Sequence, residues 1–430
     1  MSMYRWISLR ASAARWLWRA DQLSVQDRNI RYLVIDTAWQ GLMMGGAYTF
    51  ISVFVVRLGA SSLMVSLLTS LPAILMVLFS LPAAQVVQRQ RDLVRFTNIV
   101  RIFHRGAILL IALLPFVIRE HLMEAAVGIW VLNTIALAFL DSAWTVVVAD
   151  IIPARRRASV NGGRWALLSL VTALSVAVYG VVLDRSPFPL GYQIVFFVSF
   201  LGGVIGMYYY GRIEVSSTAP EPASVVGGGT LQQRLNRYVR TFRGAPPFVR
   251  YVLTTFVLRF GLSLPAALYS IYWIRQLDAS DLWIGWQATA GKLALIVGYY
   301  LWGRAAMRRG HHLVLVACTV GVGLYPVVTG IVPSQFWLPL AAVVQGFFIT
   351  GIDLSFFDTL LHVCPADRRP SFIAVNSMFA NLAMTIAPLV GSALAGWIGI
   401  RTVFWIGGAI HVVAAVLFRI SQVAVEEEEA

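Results

Sequence analysis

Charge is scarce in this sequence. Asp, Glu, Lys and Arg make up 13% of its 430 residues, while 58% are hydrophobic, against about a quarter charged in ordinary soluble domains. A water-soluble fold of this size cannot screen so much apolar surface with so few charges. In lipid the outer face is free to be as apolar as the core. Lysine is nearly missing: Lys292 stands alone, and every other base is Arg. Only Cys318 and Cys364 represent cysteine; their spacing offers neither a metal site nor a disulfide framework, and they read as packing residues. The patterns H-E-x-x-H and G-x-S-x-G are absent, and His311-His312 has no acidic companions, which argues against an intramembrane enzyme. No cofactor or metal is expected. Residues 1–30 carry Arg throughout without a compact apolar core, so no cleavable signal is read there. The net charge of +14 does not indicate nucleic acid, because the Arg residues sit in short segments between apolar spans rather than on one stripe.

What the sequence does hold is apolar runs long enough to cross a bilayer core of ~30 Å. They fall at 31–56, 62–87, 98–118, 125–149, 163–183, 190–211, 249–274, 282–303, 312–332, 336–361, 372–397 and 402–420. The expected fold class is therefore an all-α membrane protein of twelve transmembrane helices. Residues 1–30, with Trp6, Trp16 and Trp18 among Arg, read as an amphipathic segment on the membrane surface. The one long connector, 212–247, runs from Glu214, Pro220 and a Gly227-Gly228-Gly229 run into Arg234, Arg237, Arg240 and Arg243. This polar linker divides a bundle of residues 31–211 from one of residues 248–420, and an acidic tail follows at 421–430. The bases fall overwhelmingly into alternate connectors, Arg101, Arg164, Arg304 and Arg419 among them. The other set holds only Arg57, Arg119, Arg185, Arg275 and Arg401. By the positive-inside rule both termini are cytoplasmic, and the expected location is a plasma or inner membrane.

The two halves repeat each other. Arg31-Tyr32 recurs as Arg250-Tyr251, an offset of 219, which also carries Leu58, Ala60 and Ser61 onto Leu277, Ala279 and Ser280. Further on the offset becomes 212. There Asp141, Pro153, Ala154, Arg156, Arg157 and Ser159 match Asp353, Pro365, Ala366, Arg368, Arg369 and Ser371. A shared D-x11-P-A-x-R-R-x-S at one register points to duplication of a six-helix unit, hence two pseudo-symmetric six-helix bundles with a solute cleft between them.

The connector Gly303-Arg304-Ala305-Ala306-Met307-Arg308-Arg309-Gly310-His311-His312 resembles the loop signature G-x-x-x-D-R-x-G-R-R of the major facilitator superfamily. Gly303, Arg308 and Gly310 match, whereas Met307 replaces the acid and histidines replace the final bases. The equivalent connector after the second span keeps Arg89. The resemblance implies a secondary transporter working by alternating access, with the first, fourth, seventh and tenth helices lining the cavity. Gln40, Asp141, Arg259 and Asp353 would then face the solute.

Ionisable groups at membrane depth cost ~2.5–3.5 kcal/mol each on insertion scales, so each needs a partner or a wet cavity. The candidates are Arg105, Asp141, Arg259, Lys292, Asp353 and Asp358, with Asp36 nearer the mouth. Asp141 lies about 14 Å from the boundary residue Asp150 at 1.5 Å per residue, close to the midplane. Asn133 and Asp141 share a helix face, as do Gln345 and Asp353. The expected cavity residues are thus Asp36, Gln40, Asn133, Asp141, Arg259, Lys292, Gln345 and Asp353, with Arg105 and Asp358 in buried ion pairing. Static pairs of Asp141 with Arg105, or Asp353 with Arg259, are the structural alternative. Lys292 after Gly291 lacks the spacing and following hydroxyl of a phosphate loop. A cytoplasmic gate is expected from Arg89, Asp150, Arg156, Arg157, Gly303, Arg308, Gly310, Arg368 and Arg369. The expected partners are a small solute, the lipid bilayer and protons exchanged at an intramembrane carboxylate, with the chain acting as a monomer. A receptor or scaffold on the same fold is the competing expectation, which a large soluble sensory domain would favour.

Overall fold

The computed structural model describes residues 24–118, 120–215, 246–364 and 369–421. Most of the linker, the first 23 residues and the acidic tail lie outside them. Among the described residues the chain forms twelve rods. The N-terminal half holds α1 (Val25–Arg57), α2 (Ser62–Gln88), α3 (Leu93–Val117), α4 (Leu122–Ile151), α5 (Ala154–Arg185) and α6 (Leu190–Tyr210). The C-terminal half holds α7 (Pro246–Arg275), α8 (Asp281–Arg309), α9 (His311–Ile331), α10 (Leu338–Val363), α11 (Arg369–Ile398) and α12 (Ile400–Ser421). Eleven helices are long and apolar enough to cross a membrane by length and composition. The more polar exception is α8, with Gln287, Thr289 and Lys292 at its middle. Large apolar side chains such as Phe103, Phe116, Leu174, Leu324 and Ile331 point outward, as lipid-facing residues do. This is a multi-pass membrane protein.

Helix starts follow their caps. Ser24 Oγ accepts from the Asp27 N–H at 3.1 Å, Ser61 Oγ from Met64 N–H at 3.3 Å, and Asp92 Oδ1 from Arg95 N–H at 2.9 Å, each satisfying an otherwise orphaned donor. Capping by Ser24 starts α1 at Val25, inside the segment assigned above to the membrane surface. Gly310, at φ +80°, permits the abrupt turn from α8 into α9. Two starts correct the sequence reading: α3 begins at Leu93 rather than 98, and α5 at Ala154 rather than 163. Hydropathy marks where charge begins, but a helix continues through the headgroup layer. Arg101 and Arg164, assigned above to connectors, are therefore buried inside helices, about 12 and 15 Å from the helix starts.

The duplication is visible in packing. Within the first half α1 packs on α5 and α6, α2 on α4, and α3 on α4 and α6; adding six to every number reproduces the second half. Across the halves α2 packs on α11 and α5 on α8, again related by the same twofold. Both first helices break at equivalent positions. In α1 residues Met44–Tyr48 form a π-turn, leaving the Ala47 N–H to Ser199 Oγ at 3.2 Å. In α7 the helix stops at Ser263 and resumes at Leu268, around Pro265. The offset of 219 carries 44–48 onto 263–267.

One apolar core joins the two halves. It runs from Phe50, Phe54 and Val65 through Leu264, Leu268 and Tyr272 to Ala387 and Phe404, on the face opposite the chain ends. Towards the chain ends the core splits in two, one part around Leu33, Val147 and Tyr210, the other around Phe248, Val314 and Phe418. The halves are thus closed on one face and parted on the other.

Candidate functional site

A cavity of about 710 Å³ opens between the helices, walled by α1 to α5 and closed by Asn381 and Met384 of α11. Its polar lining comes from Thr37, Gln40 and Tyr48 of α1, Arg101, His104 and Arg105 of α3, Asn133 and Asp141 of α4, and Arg164 of α5. Trp130, Trp144 and Trp165 supply flat apolar surface.

The charges behind this wall differ in how they are satisfied. Asp36 and Arg101 form a two-pronged pair, Nη1–Oδ1 at 2.8 Å and Nη2–Oδ2 at 3.1 Å, at 1% and 6% exposure. The Arg101 guanidinium also stacks 3.9 Å over the Tyr210 ring. Arg164 donates to Thr37 Oγ1 at 2.9 Å and Asn161 Oδ1 at 3.2 Å, with its guanidinium 4.2 Å over Trp144. His104 bridges two neutral partners: its Nδ1 lies 2.9 Å from Asn133 Oδ1, and Tyr48 Oη lies 3.1 Å from its Nε2. Because an amide oxygen only accepts, Nδ1 carries a proton, and in the neutral imidazole Nε2 accepts from the tyrosine hydroxyl. Arg105 is 3% exposed, its Nε is buried without a hydrogen-bond partner, and no ion pair reaches it among the described residues. Its stem lies on Gly203 of α6, where an added Cβ would stand 2.7 Å from the Arg105 Cγ. Asp141 is open to the cavity and has no ion pair within 4.0 Å among the described residues.

The sequence-selected residues therefore separate. Gln40, Asn133, Asp141 and Arg105 share the cavity, and Asp36 stands behind it with Arg101. Arg259, Lys292, Gln345 and Asp353 do not line it, and all four lie in the C-terminal half. There Tyr299 Oη donates to Asp353 Oδ2 at 3.4 Å, and Arg259 and Lys292 both act on that carboxylate through space. The Arg259 guanidinium lies 5.4 Å from the Phe356 ring centre, with Nε unpartnered. Neither Asp141 with Arg105 nor Asp353 with Arg259 closes to an ion pair. The Asp358 side chain lies outside the described residues.

Of the gate candidates, Arg156 pairs with Asp27 at 2.8 Å, and Arg157 caps α4 through the Ile152 carbonyl at 3.0 Å and the Ala149 carbonyl. Both contacts stay within the first half. Arg89, Asp150 and Arg308 are exposed at the ends of α2, α4 and α8, and Gly303 lies near Leu354. Arg368 and the Arg369 side chain lie outside the described residues.

On the opposite face the halves are clasped. Arg57 donates to Asp281 Oδ1 through Nη2 at 3.0 Å and Nε at 3.2 Å, and to the Ala279 carbonyl at 3.0 Å. Tyr192 Oη donates to the same carboxylate at 2.8 Å. In reciprocal fashion Arg275 donates to the Ala60 carbonyl at 2.5 Å. Ser66 and Ser392 join α2 to α11, and Thr289 donates to the Ala173 carbonyl at 3.0 Å. The backbones of α5 and α8 touch at Gly180 and Gly285, where a Cβ on Gly285 would stand 3.1 Å from the other glycine's Cα.

The family model described as Major Facilitator Superfamily matches residues 251–429, which is the C-terminal half that the N-terminal half repeats helix for helix. That stretch, under half of the chain, is similar to the major facilitator superfamily. An efflux pump of Aspergillus parasiticus, aflT, is 29% identical over 147 residues, 33% of this chain and 28% of the pump, so the match spans under a third of that relative. The fold is similar to the nucleoside transporter NupG, with TM-score 0.70 and 13% identity over 92% of this chain and 100% of that one. It is also similar to the inward open xylose transporter XylE from E. coli, with TM-score 0.64 and 14% identity over 91% and 96% of the two chains.

Three basic residues of the cavity wall escaped the sequence reading, Arg101, His104 and Arg164, as did the neutral Thr37 and Tyr48. A signal for the first two was present, since Thr97, Arg101, His104 and Arg105 recur at helical spacing and form one stripe on α3. The displaced span edges hid it. The clasp partner Asp281 carried no signal beyond lying at a span end.

Proposed function

We propose that this protein carries a small solute across a plasma or inner membrane by alternating access, with both termini cytoplasmic and the chain acting as a monomer. One observation carries the reading. The two halves are sealed at one face by the Arg57–Asp281–Tyr192 clasp and parted at the other, onto a charged cavity at mid-membrane depth. A static scaffold has no use for a wet, charged chamber within the bilayer thickness, whereas a carrier that opens to each side in turn needs one.

Proton coupling is part of the same proposal. Among the described residues near mid-helix, Asp141 and Asp353 are carboxylates that face open space without an ion pair, so their protonation can follow the side to which the cavity opens. The similarity of residues 251–429 to the major facilitator superfamily favours transport over enzymatic chemistry.

Alternation is tested by thiol labelling. Leu140 lines the cavity; a Leu140→Cys variant should react with an impermeant reagent from the side of the chain ends. It should react from the other side only when Arg57→Ala loosens the clasp. Reaction from one side alone, whatever is done to the clasp, would remove the carrier reading. For coupling, Asp353→Asn and Asp141→Asn vesicles would be compared with wild type for proton flux driven by solute mixtures. Unchanged flux in a variant excludes that acid.

A further inference from the structure

Taking the cavity as the solute path, we infer that its ligand is an amphipathic organic anion, a carboxylate held by Arg105 with an aromatic or extended apolar body. The inference rests on the transport reading but starts from different facts.

Arg105 is the residue that the fold prepares and leaves unsatisfied. It lies twelve residues into α3, about 18 Å from the helix start and so near mid-membrane. A permanent guanidinium at that depth, 3% exposed, with Nε unpartnered and no acceptor or ion pair among the described residues, retains a desolvation cost that an anionic partner would relieve. Gly203 gives its stem a fixed seat, so the charge is held in place.

The rest of the lining sets the sign. Arg101, Arg105 and Arg164 face Asp141 as the one carboxylate in the wall, and counting Asp36 behind Arg101 still leaves one positive charge in excess. His104, bonded to the neutral Asn133 and Tyr48, removes none of that excess in either protonation state. A cationic solute would therefore enter a repulsive chamber. A neutral one would leave Arg105 unpaired when water is expelled on closure. The shape sets the body: about 710 Å³ suits a drug-sized molecule. Trp130, Pro72, Met76 and Met384 offer it apolar walls in the same cavity.

The test is equilibrium binding to the full chain in lipid nanodiscs, with 2-naphthoate as probe. Beside it stand the neutral 2-naphthamide, the cationic 2-naphthylmethylammonium, and acetate, which has the charge without the body. Naphthoate should bind at least roughly 10-fold more tightly than the other three. Arg105→Gln should weaken it roughly 10- to 100-fold, the worth of a charged hydrogen-bond partner, and Arg105→Lys should recover part of the loss. Met76→Trp, which fills the apolar side without touching a charge, should abolish binding.

The inference is overturned if the amide or ammonium binds as tightly as naphthoate. Unchanged naphthoate binding by an Arg105→Gln protein that still melts in one transition overturns it equally. Should the variants fail to fold, the ranking of the four probes on wild type decides alone. Two outcomes separate this idea from the one beneath it. Naphthoate binding with no two-sided labelling of Leu140→Cys would mean the ligand is right and the carrier wrong. Two-sided labelling without naphthoate binding would mean the reverse.

Discussion

The clasp on the face away from the chain ends makes a quantitative prediction, because it is duplicated but unequal. Arg57 makes two hydrogen bonds to a carboxylate that is 9% exposed, plus one to the Ala279 carbonyl. Arg275, its counterpart, is assigned only the Ala60 carbonyl. Hydrogen bonds to charged groups are worth about 1.5–3 kcal/mol and neutral ones about 1 kcal/mol. The Arg57 side chain is 26% exposed, which draws its contribution towards the lower end. Arg57→Ala should therefore cost the sealed face about 2–3 kcal/mol, a shift of roughly 30- to 150-fold towards the opened state, and Arg275→Ala, which loses a single bond from a charged donor, about 1.5 kcal/mol or roughly tenfold. Spin labels on Cys variants of Phe188 and Phe336, both exposed on that face, would read the change as growth of a longer-distance population. Asp281→Ala should open the face alone, and Arg57→Ala added to it should do little more, because the pair acts as a unit. Equal effects of the two arginines, or full additivity of Arg57→Ala and Asp281→Ala, would refute the reasoning.

Three further expectations concern single residues. Asp36→Asn strands the buried Arg101 and should lower unfolding stability by about 3–5 kcal/mol, whereas Asp141→Asn, with no partner to orphan, should stay within about 0.5 kcal/mol; thermal melts in detergent compare them, and similar losses would contradict the assigned pairing. Gly203→Ala puts a methyl group 2.7 Å from the Arg105 stem and should cost about 1–3 kcal/mol, read as a lowered melting temperature; an unchanged melt would mean that the stem is not confined. Gly285→Leu should hold α5 and α8 apart and leave the Phe188–Phe336 label distance long, and a wild-type distance distribution would show that the glycine contact is dispensable.

The fold was legible because lipid imposes one simple rule, that each crossing must be a long apolar helix, and because duplication doubled every signal. Helical spacing and approximate depth put Asn133 and Asp141 on one face of α4, while the expectation that Gln40 and Asp141 face the solute came from the family resemblance, which named Arg259 and Asp353 alongside them. What stayed hidden has a physical reason in each case. Arg101 and Arg164 look like loop bases because hydropathy registers charge, not helical continuity, and a partnered guanidinium inside a helix reads the same as one in a headgroup layer. The pairing of Asp36 with Arg101 depends on α6, whose Gly206 lets Asp36 sit against its backbone; a Cβ there would stand 2.8 Å from Oδ1. Nothing in the spacing of α1 or α3 reports that third helix. Asp353 and Arg259 share a depth, as read from sequence, yet depth says nothing of azimuth, and the two side chains do not close to an ion pair.

The twofold explains the scaffold, and its violations carry the chemistry. Positions that hold the halves together repeat: Ser61 and Ser280 precede α2 and α8, and the carbonyls of Ala60 and Ala279 each receive an arginine from the other half. Positions that differ between the halves are the functional candidates. The offset of 219 sets Ser62 against Asp281, which turns one of two neutral latches into an ionic one. It also sets Gln40 against Arg259, and the π-turn that precedes Thr49 against a break at Pro265. The sharpest difference is between α3 and α9, which occupy equivalent places. The first presents Arg101, His104 and Arg105; the second carries no Asp, Glu, Lys or Arg and packs through small residues, with Gly321 against Phe348 and Cys318 against Gly351. The cavity is consequently off the twofold axis, with nearly all of its polar wall in the first half. On the proposed reading the first half holds the ligand and the second half moves across it, so changes in α3 should alter affinity while changes in α8 and α11 should alter the rate of exchange between faces.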